Sequence, residues 1–158
     1  MNIFILDLDP WTSAQMHCDK HVPKMCVEAA QMATSAVLHY EPFAYMHGIW
    51  PMTKKGTPYK GGYPNHPCTR WGQASRSNYD WLITYGLALC LEYQKRFGKV
   101  HACKQALMIL QNYRTSIPAG ELTSFAQAMP DEHKHSDPVT AYRSYYRTKS
   151  FAAWNKGT

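Results

Sequence analysis

Apolar positions along most of this chain recur at three- and four-residue spacing, the period of helices with one buried face. The exception is the start. Asn2 to Leu8 is a short apolar run with no helical period, so at most a short N-terminal strand element is expected there. Asp9-Pro10 then predicts a helix start, with Asp as cap and Pro at the first helical position. That helix should cover about Trp11 to Val22 and kink or break at Pro23, which lacks a backbone donor. Lys24 to Tyr40, rich in Ala and Met and free of Gly and Pro, predicts a second helical segment. From Glu41 to Pro67 the pattern dissolves. Pro42, Pro51, Pro58, Pro64 and Pro67 alternate with Gly48, Gly56, Gly61 and Gly62, which predicts a long surface loop with room for a short hairpin. Ser77-Asn78-Tyr79-Asp80 has the form of a capping box. The helix it opens should run to about Phe97 and stop at Gly98. A further helix is expected over about His101 to Tyr113, and loop over Ile117 to Met129. Asp137-Pro138 repeats the Asp-Pro start, for a final helix to about Ala153. The expected fold is mainly α: a single helical domain over residues 1–158 with a long Pro/Gly-rich loop.

Composition sharpens this only in places. A chain of 158 residues with 45% apolar and 18% charged residues buries enough surface to fold without a disulfide or metal. The formal net charge of +6 favours an anionic partner, DNA or a nucleotide. Eleven Tyr and five Trp suit a core and base-stacking platforms alike. The cysteines Cys18, Cys26, Cys68, Cys90 and Cys103 are odd in number and form no CxxC pair. This argues against a disulfide framework or zinc knuckle and for a reducing cytosol. The N-terminus is too short and acidic for a signal peptide. No apolar run approaches the roughly 18 residues of a membrane span, so no membrane partner is expected.

The stretch MHCDKHVPKMCVEAAQ, Met16 to Gln31, concentrates titratable groups in an apolar background. If helix geometry persists through Pro23, then with His17 at zero His21 falls at about +40°, Lys24 at about −20° and Glu28 at about +20°. Lys20, at about −60°, is marginal. Such a narrow polar stripe is either a solvated face or the lining of a cleft. A lining supports two chemistries. His17 and His21, at i and i+4, could chelate a metal with Glu28 as a third ligand, although the HExxH signature is absent. Alternatively, Lys20 or Lys24 among cations or in a dry pocket becomes a nucleophilic amine, with Glu28 as proton shuttle.

Two further clusters carry charge. In NHPCTRWGQASRSNYDW, residues Asn65, His66, Arg70, Trp71, Arg76 and Asn78 stand at a loop-to-helix junction, where free N–H groups favour phosphate. In AYRSYYRTK, Arg143 and Arg147 align at i and i+4 beside three tyrosines, which suits a backbone phosphate.

The segments HCDKHVPKM, NHPCTRW, NYDWLITYGLALCLEYQKRFGKVH and QAMPDE with AYRSYY resemble small helical proteins common in phages. Their arrangement is similar, more distantly, to the phage-type pyrimidine-dimer DNA glycosylases (endonuclease V type). That resemblance implies an α fold that kinks DNA and flips a nucleotide out of the stack. It also implies attack on the sugar C1′ by an N-terminal α-amine, on a threonine exposed by Met removal, assisted by a glutamate in the first helix region. Here the second residue is Asn2, whose bulk leaves Met1 in place. Glu28 could take the glutamate's role, and the imine chemistry would then need Lys20 or Lys24, or be absent. The expectation is a base-processing enzyme of glycosylase type, acting on DNA or a nucleotide in the host cytoplasm, without a cofactor. Its catalytic cleft would comprise His17, Lys20, His21, Lys24 and Glu28. Asn65, His66, Arg70, Trp71, Arg76, Asn78 and Arg143 would hold phosphate and base. The alternatives are a non-catalytic module that sequesters a nucleotide or host protein, and a metal-dependent hydrolase using His17 and His21.

Overall fold

A computed structural model describes residues 1–157. Its helices are α1 (Pro10–Met16), α2 (His21–Tyr40), α3 (Pro67–Ala74), α4 (Arg76–Phe97), α5 (Cys103–Gln111) and α6 (Pro138–Tyr146), with 3-10 turns at Ala44–Met46, Arg114–Ser116 and Asp131–His133. Both Asp-Pro starts form as their chemistry dictates. Asp9 and Asp137 cap the N–H groups of Thr12 and Thr140, each with proline in the first turn. Gly98 ends α4 at φ 70°, a conformation that spares glycine the Cβ penalty.

Several boundaries differ from the sequence pattern, each for a local reason. The chain breaks at residues 17–20, not at Pro23. Pro23 sits in the first turn of α2, where no backbone donor is required. The cap of α4 is Ser75, not Ser77; its Oγ accepts from the Asn78 N–H at 3.2 Å and donates to the Glu121 carbonyl at 2.7 Å. The last helix stops at Tyr146. His66 caps an unpredicted short helix, α3, through Nδ1, with Pro67 at its start. The long loop closes one antiparallel bridge, Met52 with Pro58.

The central helix is α4, which packs against α1, α2, α3 and α5. Tyr79, Leu82, Tyr85 and Leu89 on it are 0% exposed, and each aliphatic burial of this kind stabilises by about 1.5–3 kcal/mol. Gly86 lets α2 and α5 close in: a Cβ there would stand 3.0 Å from Leu107 and 3.1 Å from Ala29.

Ile3 to Leu6 thread through this core, none more than 5% exposed. The segment joins no sheet; side chains take over part of its hydrogen bonding. Leu6 N–H donates to Ser13 Oγ at 3.1 Å, Ser13 Oγ donates to the Phe4 carbonyl at 3.1 Å, and the Tyr85 hydroxyl reaches the Ile3 carbonyl. Phe4 is held at φ 55°, a strained angle for an aromatic residue. Its ring is stacked 4.7 Å from His21 and lies edge-on to Tyr146 at 5.3 Å. The buried thread fixes where residue 1 emerges.

Candidate active site

Residue 1 emerges in a pocket of about 200 Å³. Its walls include His21, Lys24 and Glu28 from α2, Tyr145 from α6, and Lys149 and Phe151 from the segment after α6. The Met1 α-amine lies 3.2 Å from Glu28 Oε1, with both side chains nearly buried. Glu28 Oε2 is buried and accepts no hydrogen bond among the described residues. One carboxylate oxygen is thus engaged by the amine while the other remains available to a proton. Asn2 anchors the approach through Nδ2, which donates to the Ala128 carbonyl at 2.7 Å.

His21 is stacked on Phe4 at the pocket wall. The Tyr146 hydroxyl accepts the Cys18 N–H at 2.8 Å and lies 3.0 Å from His21 Nδ1. Burial, then the charges of Lys24, Lys149 and Lys20, push His21 down to about 4. It is therefore neutral at pH 7. Lys24 is exposed on the rim. Lys149 lies 3.9 Å from the Tyr145 ring centre. Lys20 does not line the pocket itself; its Nζ lies 4.6 Å from the ring centre of Phe151, which does.

His17 stands apart. It lies in the break before α2, so the stripe drawn through it on one continuous helix does not form. The imidazole is 0% exposed. Nδ1 donates to the Ser13 carbonyl at 2.7 Å, and Nε2 lies 2.8 Å from the Tyr85 hydroxyl, which also reaches Ile3. The ring thereby braces the N-terminal thread against α1 and α4. Burial is the main cause that pushes His17 down to about 3. The sign follows: the unfolded histidine takes a proton below about 6.5 and the folded one does not. This stabilisation is present above pH 6.5 and is lost as the pH falls towards 3. The melting temperature should therefore drop on acidification across that window, and His17→Gln should show a shallower drop in the same thermal scans.

The loop-to-helix cluster divides. His66 adjoins residue 1: burial, then the positive Met1 amine, hold its imidazole below its usual range. Arg70 and Asn65 pair with each other at 2.9 Å on the surface. Trp71 is 5% exposed, packed on Phe125 and Trp81, with Nε1 donating to the Thr123 carbonyl. Asn78 is buried; its amide donates to Trp71 and Thr123 and accepts from the Thr123 N–H. Arg76 donates to the carbonyls of Arg114 and Ile117. None of these five lines the pocket. Arg143 belongs to a neighbouring groove of about 530 Å³, with Arg147, Lys149 and Trp154 among its walls. Lys149 lines both cavities, so a basic, aromatic track leads to the pocket mouth.

Residue 1 was not among the site residues expected from the stripe, nor were Tyr145, Lys149 and Phe151. The only sequence signal for Met1 was the resemblance, which pointed to an N-terminal amine. Among the described residues, no helix is long and apolar enough to cross a membrane. A family model described as pyrimidine dimer DNA glycosylase matches residues 1–106. That stretch includes Met1, His21, Lys24 and Glu28. Neither the curated proteins nor the solved structures contain a match to the chain.

Proposed function

The chain belongs to the pyrimidine dimer DNA glycosylase family, and we propose that it removes a damaged pyrimidine from DNA with the α-amine of Met1 as nucleophile and Glu28 as proton shuttle. Membership itself gives a DNA glycosylase-type function, with DNA as substrate. The finer reading is carried by one observation: an α-amine 3.2 Å from a nearly buried carboxylate, in a pocket open beside a basic groove.

The amine, having given a proton to solvent, attacks C1′ of a flipped nucleotide. The N–C1′ bond forms as the glycosidic C1′–N bond breaks, and the departing base takes a proton from solvent. The new C–N⁺ centre gives a proton to Glu28. Glu28 returns it to the ring oxygen as the C1′–O bond opens, leaving an imine between Met1 and the sugar. Water then hydrolyses the imine, releasing the sugar aldehyde and restoring the amine. The Glu28 carboxylate can serve both transfers because it touches the amine and has a second oxygen without a partner among the described residues. Met1 suits this role better than Lys20, whose Nζ stands against Phe151, or Lys24, whose side chain is exposed. His21 and Phe4 form an apolar and hydrogen-bonding wall, and Lys24 and Lys149 supply positive charge for the flanking phosphates. Extruding a base costs a few kcal/mol, least where the base is damaged; the groove contacts offset it.

The test is incubation with a duplex carrying one pyrimidine dimer. Cleavage of one glycosidic bond at the dimer is expected, scored as an aldehydic abasic site that breaks the strand on alkali treatment, with none in the undamaged duplex. Binding of the dimer duplex with no abasic site formed would instead favour the sequestering module. The groove carries its own prediction. Arg147→Ala and Lys149→Ala should each lower the slope of log affinity against log salt by about one, measured by fluorescence anisotropy on the same duplex.

A further inference from the structure

On α2, Cys26 lies roughly 200° around the helix from Glu28, facing away from the active-site pocket. There it meets Cys90 of α4 and His101 of the turn into α5. The two sulfurs and a ring nitrogen of His101 all lie within 4.8 Å of one another. Cys103, which starts α5, is also buried and places its Sγ 3.9 Å from the Tyr59 hydroxyl. We propose that Cys26, Cys90 and His101 form a binding site for a thiophilic divalent cation, Zn²⁺ in particular, that ties α2, α4 and the α4–α5 turn together.

The donor chemistry selects the ion. Two thiolates and an imidazole are the soft-to-borderline set that tetrahedral Zn²⁺ takes, and they discriminate against Mg²⁺ and Ca²⁺, which require oxygen. Zn–S bonds near 2.3 Å place ligand atoms roughly 3.5–4 Å apart in a tetrahedron, so the cluster closes on a metal by small side-chain rotations. Three protein ligands leave the fourth position to water or the Cys103 thiol. Loading deprotonates both cysteines and releases two protons to solvent. His101 ligates in its neutral form. Its ring nitrogens now contact the Pro23 carbonyl and the Cys103 N–H, each at 3.0 Å. Ligation through Nδ1 gives up the Cys103 N–H bond and keeps the Nε2–H donation to the Pro23 carbonyl, which orients the ring. The ligands come from three elements with no CxxC spacing, so no sequence motif announces the site.

The test uses the full-length protein and metal salts alone. One equivalent of Co²⁺ should give the near-ultraviolet sulfur-to-cobalt charge-transfer band and the visible bands of a tetrahedral site. One equivalent of Zn²⁺ should abolish them, and the zinc-loaded protein should melt at a higher temperature than the chelated one. His101→Ala, a half-buried position, should weaken Zn²⁺ binding by more than roughly 100-fold, beyond what loss of an outer-shell partner costs. Cys90→Ala, checked for folding by circular dichroism, should remove the charge-transfer band. Absence of that band in the native protein at one equivalent overturns the proposal. So does an undiminished band in folded Cys90→Ala, or a Cys26–Cys90 disulfide in the protein as isolated. These readouts do not involve DNA, so their failure leaves the glycosylase reading untouched.

Discussion

Glu28→Gln should lower single-turnover glycosidic cleavage at the dimer by roughly 100- to 10,000-fold, the range associated with a positioned acid–base group, while changing affinity for the dimer duplex only a few-fold. In the proposed mechanism the carboxylate has two tasks that an amide cannot perform: accepting a proton from the attacking nitrogen and returning one to the sugar oxygen. The amide still fills the space and still offers an oxygen to the Met1 nitrogen 3.2 Å away. On the same proposal binding rests instead on the lysines and arginines of the groove, which the substitution leaves in place. The two effects should therefore separate in rapid-quench kinetics and equilibrium titration. A parallel loss of affinity and rate, with a collapse in melting temperature, would make Glu28 a structural counter-charge for the N-terminus.

Arg96→Ala should destabilise the fold by about 3–5 kcal/mol, the cost of removing one partner from a buried ionic cluster. The Arg96 side chain is 8% exposed and pairs with Asp19 at 3.2 Å and Glu92 at 3.0 Å. It also donates to the carbonyls of His17 at 2.7 Å and Gln15 at 2.9 Å. These carbonyls belong to the end of α1 and the break before α2, where no helical donor reaches them. Without the guanidinium, the Glu92 carboxylate and two carbonyls lose this donor together, and Asp19 is left with the backbone N–H groups of Asn155 and Lys156. Urea unfolding monitored by tryptophan fluorescence measures the loss. Because the break sets where α2 begins, the same variant should also loosen the register of His21, Lys24 and Glu28.

Much of the framework was legible because it is written in local chemistry. Asp9-Pro10, Asp137-Pro138 and Gly98 need only their neighbours to cap or stop a helix. His21, Lys24 and Glu28 were legible as one face for the same reason, since seven residues span two turns of a single helix. His17 shared the numerical period but not the helix, because the Cys18–Lys20 turn intervenes and the proline three residues into α2 is tolerated there. Lys149 and Phe151 face Glu28 from more than 120 residues away, and no periodicity links them. Trp71, Arg76 and Asn78 have the chemistry of ligand-binding residues. They meet the 114–123 segment instead, and that pairing becomes visible only once the chain has folded back over α4. The amine of residue 1 is invisible to any side-chain pattern, since it belongs to the backbone.

The most direct measurement is reduction of the reacting complex with borohydride, followed by peptide mapping of the trapped protein–DNA adduct. The account predicts a covalent adduct on the α-nitrogen of Met1, lost when that amine is acetylated or the chain is extended ahead of it. An adduct on Lys24 or Lys20, or glycosidic cleavage undiminished by the blocked amine, would contradict it.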